Sequence, residues 1–364
     1  MNSVVIAKFG GSVIGVDGIS IPVIIQRINS LSKDAKVVAV FSAPLTVVEG
    51  KRRSLTDVAL ELGKRAEEGK AFDLIILRKT YEKILELVSS EFQEKCRTAI
   101  DDCLDMVRIE LEKAMEKKEF ADEVRSKTLA YSGEILMSYV MEYILQSQGI
   151  KSKVVGLDNW PIITDSNIES TNFLASESNK KVEFLERLLD ENQVITIGGF
   201  IGRTADGVIT TYERGGSDRT AADLGILLHK KFDVKINLEK DSSVVSADPR
   251  IVKDGLTEVR SISYNEARLA GMFGMNILDP ISIKEILENG ASLPIVITDM
   301  RNPEKTTTIE RKPNNDNGHP IKIITGKKNC AILRIEDEFV HKLLESLENK
   351  KRYSEFVILS PFTK

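Results

Sequence analysis

With 364 residues, 42% of them apolar and 29% charged, the chain is long and apolar enough to bury one large domain plus a smaller one. A net charge of −4 gives no basic footprint for nucleic acid or an anionic membrane, and three cysteines, Cys96, Cys103 and Cys330, are too few for a disulfide framework. No apolar run approaches the roughly 18 residues of a membrane span, and His229, His319 and His341 lack ligand spacing, so the expectation is a cytoplasmic protein whose metal arrives with a ligand.

The run Val4-Val5-Ile6-Ala7 reads as a first strand, entered with no basic flank or cleavage site, so no secretory leader is expected. It ends in Lys8-Phe9-Gly10-Gly11-Ser12. A lysine at a strand end followed by a glycine pair can place an ammonium and free backbone amides around one phosphate, although without the spacing of a Walker loop; the same residues also suit a tight turn with a surface lysine. Ile21, Ile24, Ile25 and Ile28 have helical spacing, and Val37-Val38-Ala39-Val40-Phe41 has the continuous apolar pattern of a parallel strand covered on both faces, closing at Ser42-Ala43-Pro44. Between about residues 54 and 145, Leu, Glu, Lys and Ala recur at helical spacing, which predicts a helical excursion whose notable members are Thr56 and Glu134. Glu134 follows Ser132-Gly133 and precedes the apolar face Leu136, Val140, Ile144, and taken alone it reads as a solvated first-turn glutamate.

Lys153 to Leu157 reads as a strand, Val182 to Leu189 as a helix, and Val194 to Gly202 as a strand closing on glycines that feeds a hairpin turn at Asp206-Gly207. The stretch from Thr210 to Asp223 then joins a strand to a helix. Gly215-Gly216 lets the backbone approach an anion, Ser217-Asp218 sits where a helix N-cap belongs, and Ala222, Leu224, Leu227 and Leu228 suit a helix packed on a sheet with its positive end at the loop. Arg214 before the glycines and Asp218 after them place a cation and a carboxylate at one turn, more than a plain turn requires. Beyond it come the strand Val234 to Leu238, a polar loop through Glu239-Lys240 to Arg250, helices at Tyr264 to Met272 and Ile281 to Leu287, a closing strand Leu293 to Ile297, and a linker from Arg311 to Pro320.

Lys8-Phe9-Gly10-Gly11, Ser132-Gly133-Glu134, Gly199-Phe200-Ile201-Gly202, Thr210-Thr211 with Arg214-Gly215-Gly216-Ser217-Asp218, and Ala247-Asp248-Pro249-Arg250 stand in an order and spacing that resemble the aspartokinases over roughly residues 1 to 310. The resemblance implies the α/β amino acid kinase fold, a parallel-rich sheet between helices, followed by an ACT-type region. It also implies ATP-dependent phosphorylation of the L-aspartate β-carboxylate, the first step toward lysine, threonine and methionine, with Mg2+ bound along with the nucleotide. Lys8, with Gly10, Gly11 and Ser12, would hold the transferring phosphate, and Asp218 would orient the lysine. Arg214 would grip the substrate α-carboxylate and Glu134 its ammonium, while Ser42, Thr56, Phe200 and Ser217 would line the amino acid pocket. Gly215, Gly216, Glu239, Lys240, Val245, Arg250 and Asn276 fall on the nucleotide side.

The chain departs from the family there. Glu239-Lys240 replaces a Thr-Asp pair, Ser243 a loop glycine, Val245 a tyrosine, and Asn276 a lysine expected on the ATP phosphates, for which Lys240 could substitute. A same-fold kinase for another small amino acid or carboxylate, and a regulatory subunit without turnover, are the alternatives. After the linker, residues 320–364 read as strand Cys330 to Ile335, helix Glu338 to Asn349 and strand Phe356 to Leu359, about half of one ACT module, for which a homodimer completing the sheet is expected.

Overall fold

The strands of the computed structural model, which describes residues 3–213, 215–275, 277–313, 321–326 and 342, are β1 (Ser3–Phe9), β2 (Lys36–Phe41), β3 (Leu45–Val48), β4 (Lys51–Ser54), β5 (Ser152–Val154), β6 (Val194–Gly198), β7 (Ile201–Arg203), β8 (Ile209–Thr211), β9 (Asp233–Lys240), β10 (Ser261–Ser263), β11 (Ile295–Asp299) and β12 (Asn302–Glu310). Eight of them form one sheet in the order β10-β12-β11-β9-β1-β2-β6-β5. The six from β11 to β5 run parallel, and β12 turns back antiparallel to β11 with β10 beside it. Apolar residues fill β2 and β6 on both faces, as a parallel sheet covered by helices requires.

The period of two along each strand assigns the faces. Thr196 of β6 donates to the Ser138 carbonyl at 2.9 Å, so its face meets the helix Glu134–Ser147. Pairing carries that face to Phe41, Phe9 and Glu239, and Arg27 of the helix Ile21–Leu31 meets Glu239 there. The opposite face carries Lys8, Ile236, Leu238 and Lys240 and receives the helix Gly216–Leu228, where Gly225 lets Ile236 approach; a Cβ on it would lie 3.1 Å from Ile236 Cδ1. The helical excursion is present as Leu55–Glu67, Ile75–Leu85, Ser90–Lys117, Asp122–Ser132 and Glu134–Ser147. Cys96 and Cys103 lie buried as free thiols on the third of these, and burial pushes both up to about 12.

Three local expectations differ. The N-cap of the Gly216–Leu228 helix is Gly215, left-handed at φ 94°, and Ser217 and Asp218 lie within the first turn rather than at the cap, so their side chains engage other partners. The strand at Ile295 is not the last of its sheet. The polar β12, with Pro303 and a Thr-Thr-Thr run, and the three-residue β10 at the sheet edge extend it, and their half-exposed residues hide them from a search for apolar runs. The β3–β4 hairpin, whose second strand is Lys-Arg-Arg-Ser, precedes the excursion for the same reason. Of the expected C-terminal half-module and its dimer contact, all but residues 321–326 and Lys342 lies outside the described residues. No described helix is long and apolar enough to cross a membrane.

Candidate active site

At the carboxyl ends of β9, β1, β2 and β6, the chain gathers residues that are hundreds of positions apart. This is where an open parallel sheet with helices on both faces leaves a crevice. Lys8, near the end of β1, reaches across to the first turn of the Gly216–Leu228 helix, and its Nζ lies 2.9 Å from Asp218 Oδ1. Gly10 keeps space for that ammonium, since a Cβ there would stand 3.3 Å from Nζ, and Gly11 clears the Ala43 carbonyl, which a Cβ would approach to 2.6 Å. Ser12 is exposed beside them on a short helix, Gly11–Ile14. Burial by itself would raise the Asp218 carboxyl. The charges of Lys8 and then Lys240, with hydrogen bonds from Lys8 and the Asp279 backbone amide, hold it below the usual carboxylate range.

Next along the edge, Ser42 at the end of β2 donates to Ser217 Oγ at 3.0 Å. Gly199 allows this contact, because a Cβ on it would fall 2.6 Å from both Ser217 Cβ and Oγ. The chain then turns at Phe200, whose φ of 71° is a costly conformation for a bulky residue. The turn is held on two sides, by the Phe200 amide donating to Thr220 Oγ1 at 2.9 Å and the Tyr212 amide donating to the Phe200 carbonyl at 2.9 Å. The Phe200 ring stands over Gly216, where a Cβ would come within 3.2 Å of it.

Glu134 closes this side. It opens its helix as expected, but it is 5% exposed, so it is not a solvated first-turn glutamate. Gly133 packs on Ala43, and Gly198 lies under the Glu134 backbone. Thr56 Oγ1 donates to Oε1 at 3.4 Å, and Oε2 has no hydrogen-bond partner among the described residues. Burial pushes the carboxyl up to about 7, outweighing hydrogen bonds from its own and the Ala43 amides and from Thr56, and the charge of Lys8.

The nucleotide-side candidates divide. Lys240, the last residue of β9, joins the cluster with Nζ 3.9 Å from Asp218 Oδ2. Gly215 and Gly216 form the helix start above it. Glu239 is not brought to the cluster: alternation turns it to the other face, where Arg27 Nε donates to its Oε1 at 2.9 Å. Val245 pairs with Glu258 in an isolated bridge, and Arg250 is exposed and held by Asp248 at 2.8 Å. Arg214 and Asn276 lie outside the described residues. Sequence reading missed the backbone amides of Ala43 and Asp279 as contributors; an Asp-Pro helix start at 279–280 is the one signal that could have drawn attention to the second.

Residues 3–299 match the model of the amino acid kinase family. The chain is 31% identical over 224 residues to the chloroplastic bifunctional aspartokinase/homoserine dehydrogenase 2 of Arabidopsis thaliana, covering 59% of this chain and 24% of that protein. It is 29% identical over 206 residues to an aspartokinase of Rickettsia felis, covering 56% of this chain and 49% of that one. The chain thus spans between a quarter and a half of these relatives' lengths. Its fold is similar to that of E. coli aspartokinase III in complex with aspartate and ADP, with a TM-score of 0.75 at 18% identity over 98% of this chain and 77% of that one.

Proposed function

The chain belongs to the amino acid kinase family, and from that premise we propose that it transfers the γ-phosphoryl group of ATP to the β-carboxylate of L-aspartate. Glu134 carries the reading. A buried carboxylate with an oxygen left without a hydrogen-bond partner among the described residues awaits a donor, and a substrate ammonium is the donor that also supplies the missing charge. The curated relatives named as aspartokinases and the solved aspartokinase with aspartate and ADP support the acceptor and the nucleotide.

In this reading Glu134 and Thr56 bind the ammonium, Arg214 takes the α-carboxylate, and Ser42, Ser217 and Phe200 bound the amino acid between them. Lys8 and the Gly10 and Gly11 amides hold the transferring phosphoryl group, with Asp218 fixing the lysine. Gly215, Gly216, Val245, Arg250 and Asn276 border the nucleotide. A β-carboxylate oxygen bonds to the γ-phosphorus as the bond from phosphorus to the β,γ-bridging oxygen breaks, and the electron pair leaves on ADP. No proton has to move, so positioning and positive charge matter more than acid-base residues. Among the described residues no group of three His, Cys, Asp or Glu could hold a metal, and Asp218 is already engaged by ammonium groups, so the donor set suits Mg2+ carried on the nucleotide phosphates. The buried thiols Cys96 and Cys103 suit a reducing cytoplasm.

The test is ADP release with ATP and Mg2+ across aspartate, glutamate, homoserine and N-acetylglutamate, with hydroxylamine trapping of the acyl phosphate. Turnover confined to aspartate is expected. Turnover with another acceptor, or none with any, would overturn the assignment.

A further inference from the structure

Two ammonium groups flank one buried carboxylate: Lys8 Nζ at 2.9 Å from Asp218 Oδ1 and Lys240 Nζ at 3.9 Å from Oδ2. The placement of Lys240 follows from register. Lys8 is opposite Leu238 in the parallel pairing of β1 with β9, so Lys240, two residues on, projects to the face of Lys8 while Glu239 is turned away to Arg27. Its backbone is fixed in the sheet, paired with Asp299 of β11 and accepting from the Met300 amide at 2.9 Å. The three side chains are only 14%, 8% and 22% exposed for Lys8, Asp218 and Lys240.

Lys240 brings a second ammonium to the Lys8–Asp218 pair, beneath the N-terminus of the 13-residue helix Gly216–Leu228, whose dipole favours an anion at the same place. Burial pulls the Lys240 ammonium below its usual range and Lys8 adds to this, while Asp218 and Asp241 oppose it. A bound anion would favour the charged form of both lysines.

We propose that Lys240 is the second phosphate-binding cation of this site, supplying a second ammonium that draws the triphosphate and stabilises the transferring phosphoryl group and the departing ADP oxygen. This rests on the kinase reading above. Lys8, held by Asp218, and Lys240 then take the phosphate oxygens from two neighbouring strand ends, β1 and β9.

The experiment compares full-length wild type with Lys240→Met and Lys240→Arg, measuring ATP, ADP and AMP affinity by calorimetry without acceptor, then ADP release with aspartate. Lys240→Met is expected to lose on the order of a hundred- to a thousand-fold in kcat/KM for ATP, with AMP affinity and the KM for aspartate nearly unchanged, and Lys240→Arg to recover most of that loss. Should the methionine variant fail to give a wild-type melting curve, Lys240→Gln carries the same expectation. A folded neutral variant with wild-type ATP affinity and turnover overturns the proposal, as does a wild-type chain that binds no ATP. Wild type that binds ATP through Lys240 and leaves aspartate unphosphorylated supports the role of Lys240 and overturns only the acceptor assignment.

Discussion

Arg219 Nη2 meets Glu285 Oε1 at 2.6 Å inside the protein, joining the helix Gly216–Leu228 to the helix Pro280–Glu288 just behind the Lys8–Asp218 pair. The Arg219 guanidinium also lies over the Tyr212 ring, 4.1 Å from its centroid, and Tyr212 donates to Asp223. Burial, and after it the charge of Glu285, pushes the Asp223 carboxyl well above its usual range, while the Arg219 charge opposes this. Because the second helix begins at Asp279, whose amide reaches Asp218, this buried bridge also sets the depth of the site.

Breaking it from one side is expected to be costly. Glu285→Ala leaves Arg219 charged and buried and should destabilise the protein by about 3–5 kcal/mol in urea unfolding, whereas the double change Arg219→Met with Glu285→Met should cost much less. A loss below about 1 kcal/mol for the single variant would mean that water reaches Arg219.

Glu134 should make both stability and binding depend on pH. Its folded value of about 7 lies above the usual glutamate value of 4.5, so the folded state holds a proton that the unfolded state has lost between those limits. Stability is therefore full below pH 4.5 and falls as pH rises through about 7, by roughly 3 kcal/mol. Glu134→Gln should flatten this dependence and melt higher than wild type at pH 8. An ammonium bound to Glu134 favours its ionised form, so aspartate binding at pH 6 should release a proton, seen as a buffer-dependent calorimetric heat that the glutamine variant lacks. An equal heat in all buffers would remove Glu134 from the ammonium site.

Gly199 is predicted to be intolerant for a steric reason. Its Cβ would collide with Ser217 at 2.6 Å, so Gly199→Ala should cost about 1–3 kcal/mol and separate Ser42 from Ser217, raising the KM for the amino acid more than that for ATP. Gly156→Ala is the control, because its Cβ would meet only the Tyr139 hydroxyl at an ordinary 3.5 Å. Matching behaviour of the two variants in melting and kinetics would refute the collision.

Glu239 and Lys240 are adjacent in sequence and should behave as strangers. Glu239→Gln weakens the pair with Arg27 and is expected to lower stability by about 1–3 kcal/mol while leaving the KM for ATP at the wild-type value. A large rise in that KM would place Glu239 at the nucleotide after all.

Much of the architecture was legible because it is written in local patterns. The unbroken apolar run Val37–Phe41, the isoleucines at helical spacing from Ile21, and the Leu- and Glu-rich stretch from 54 to 145 each announce an element by period and composition, and the glycine turns after Lys8 and before Ser217 mark the ends that meet at the Lys8–Asp218 pair. What only the tertiary structure decided is burial, facing and partnership across the chain. A glutamate opening a helix looks solvated until Gly133 packs it against Ala43, and two consecutive polar residues at a strand end look alike until alternation sends Glu239 to Arg27 and Lys240 to Asp218. The strands β12 and β10 escaped for a related reason: a half-exposed strand carries no apolar run, and their hydrogen bonds exist only once β12 has paired with β11 and β10 with β12.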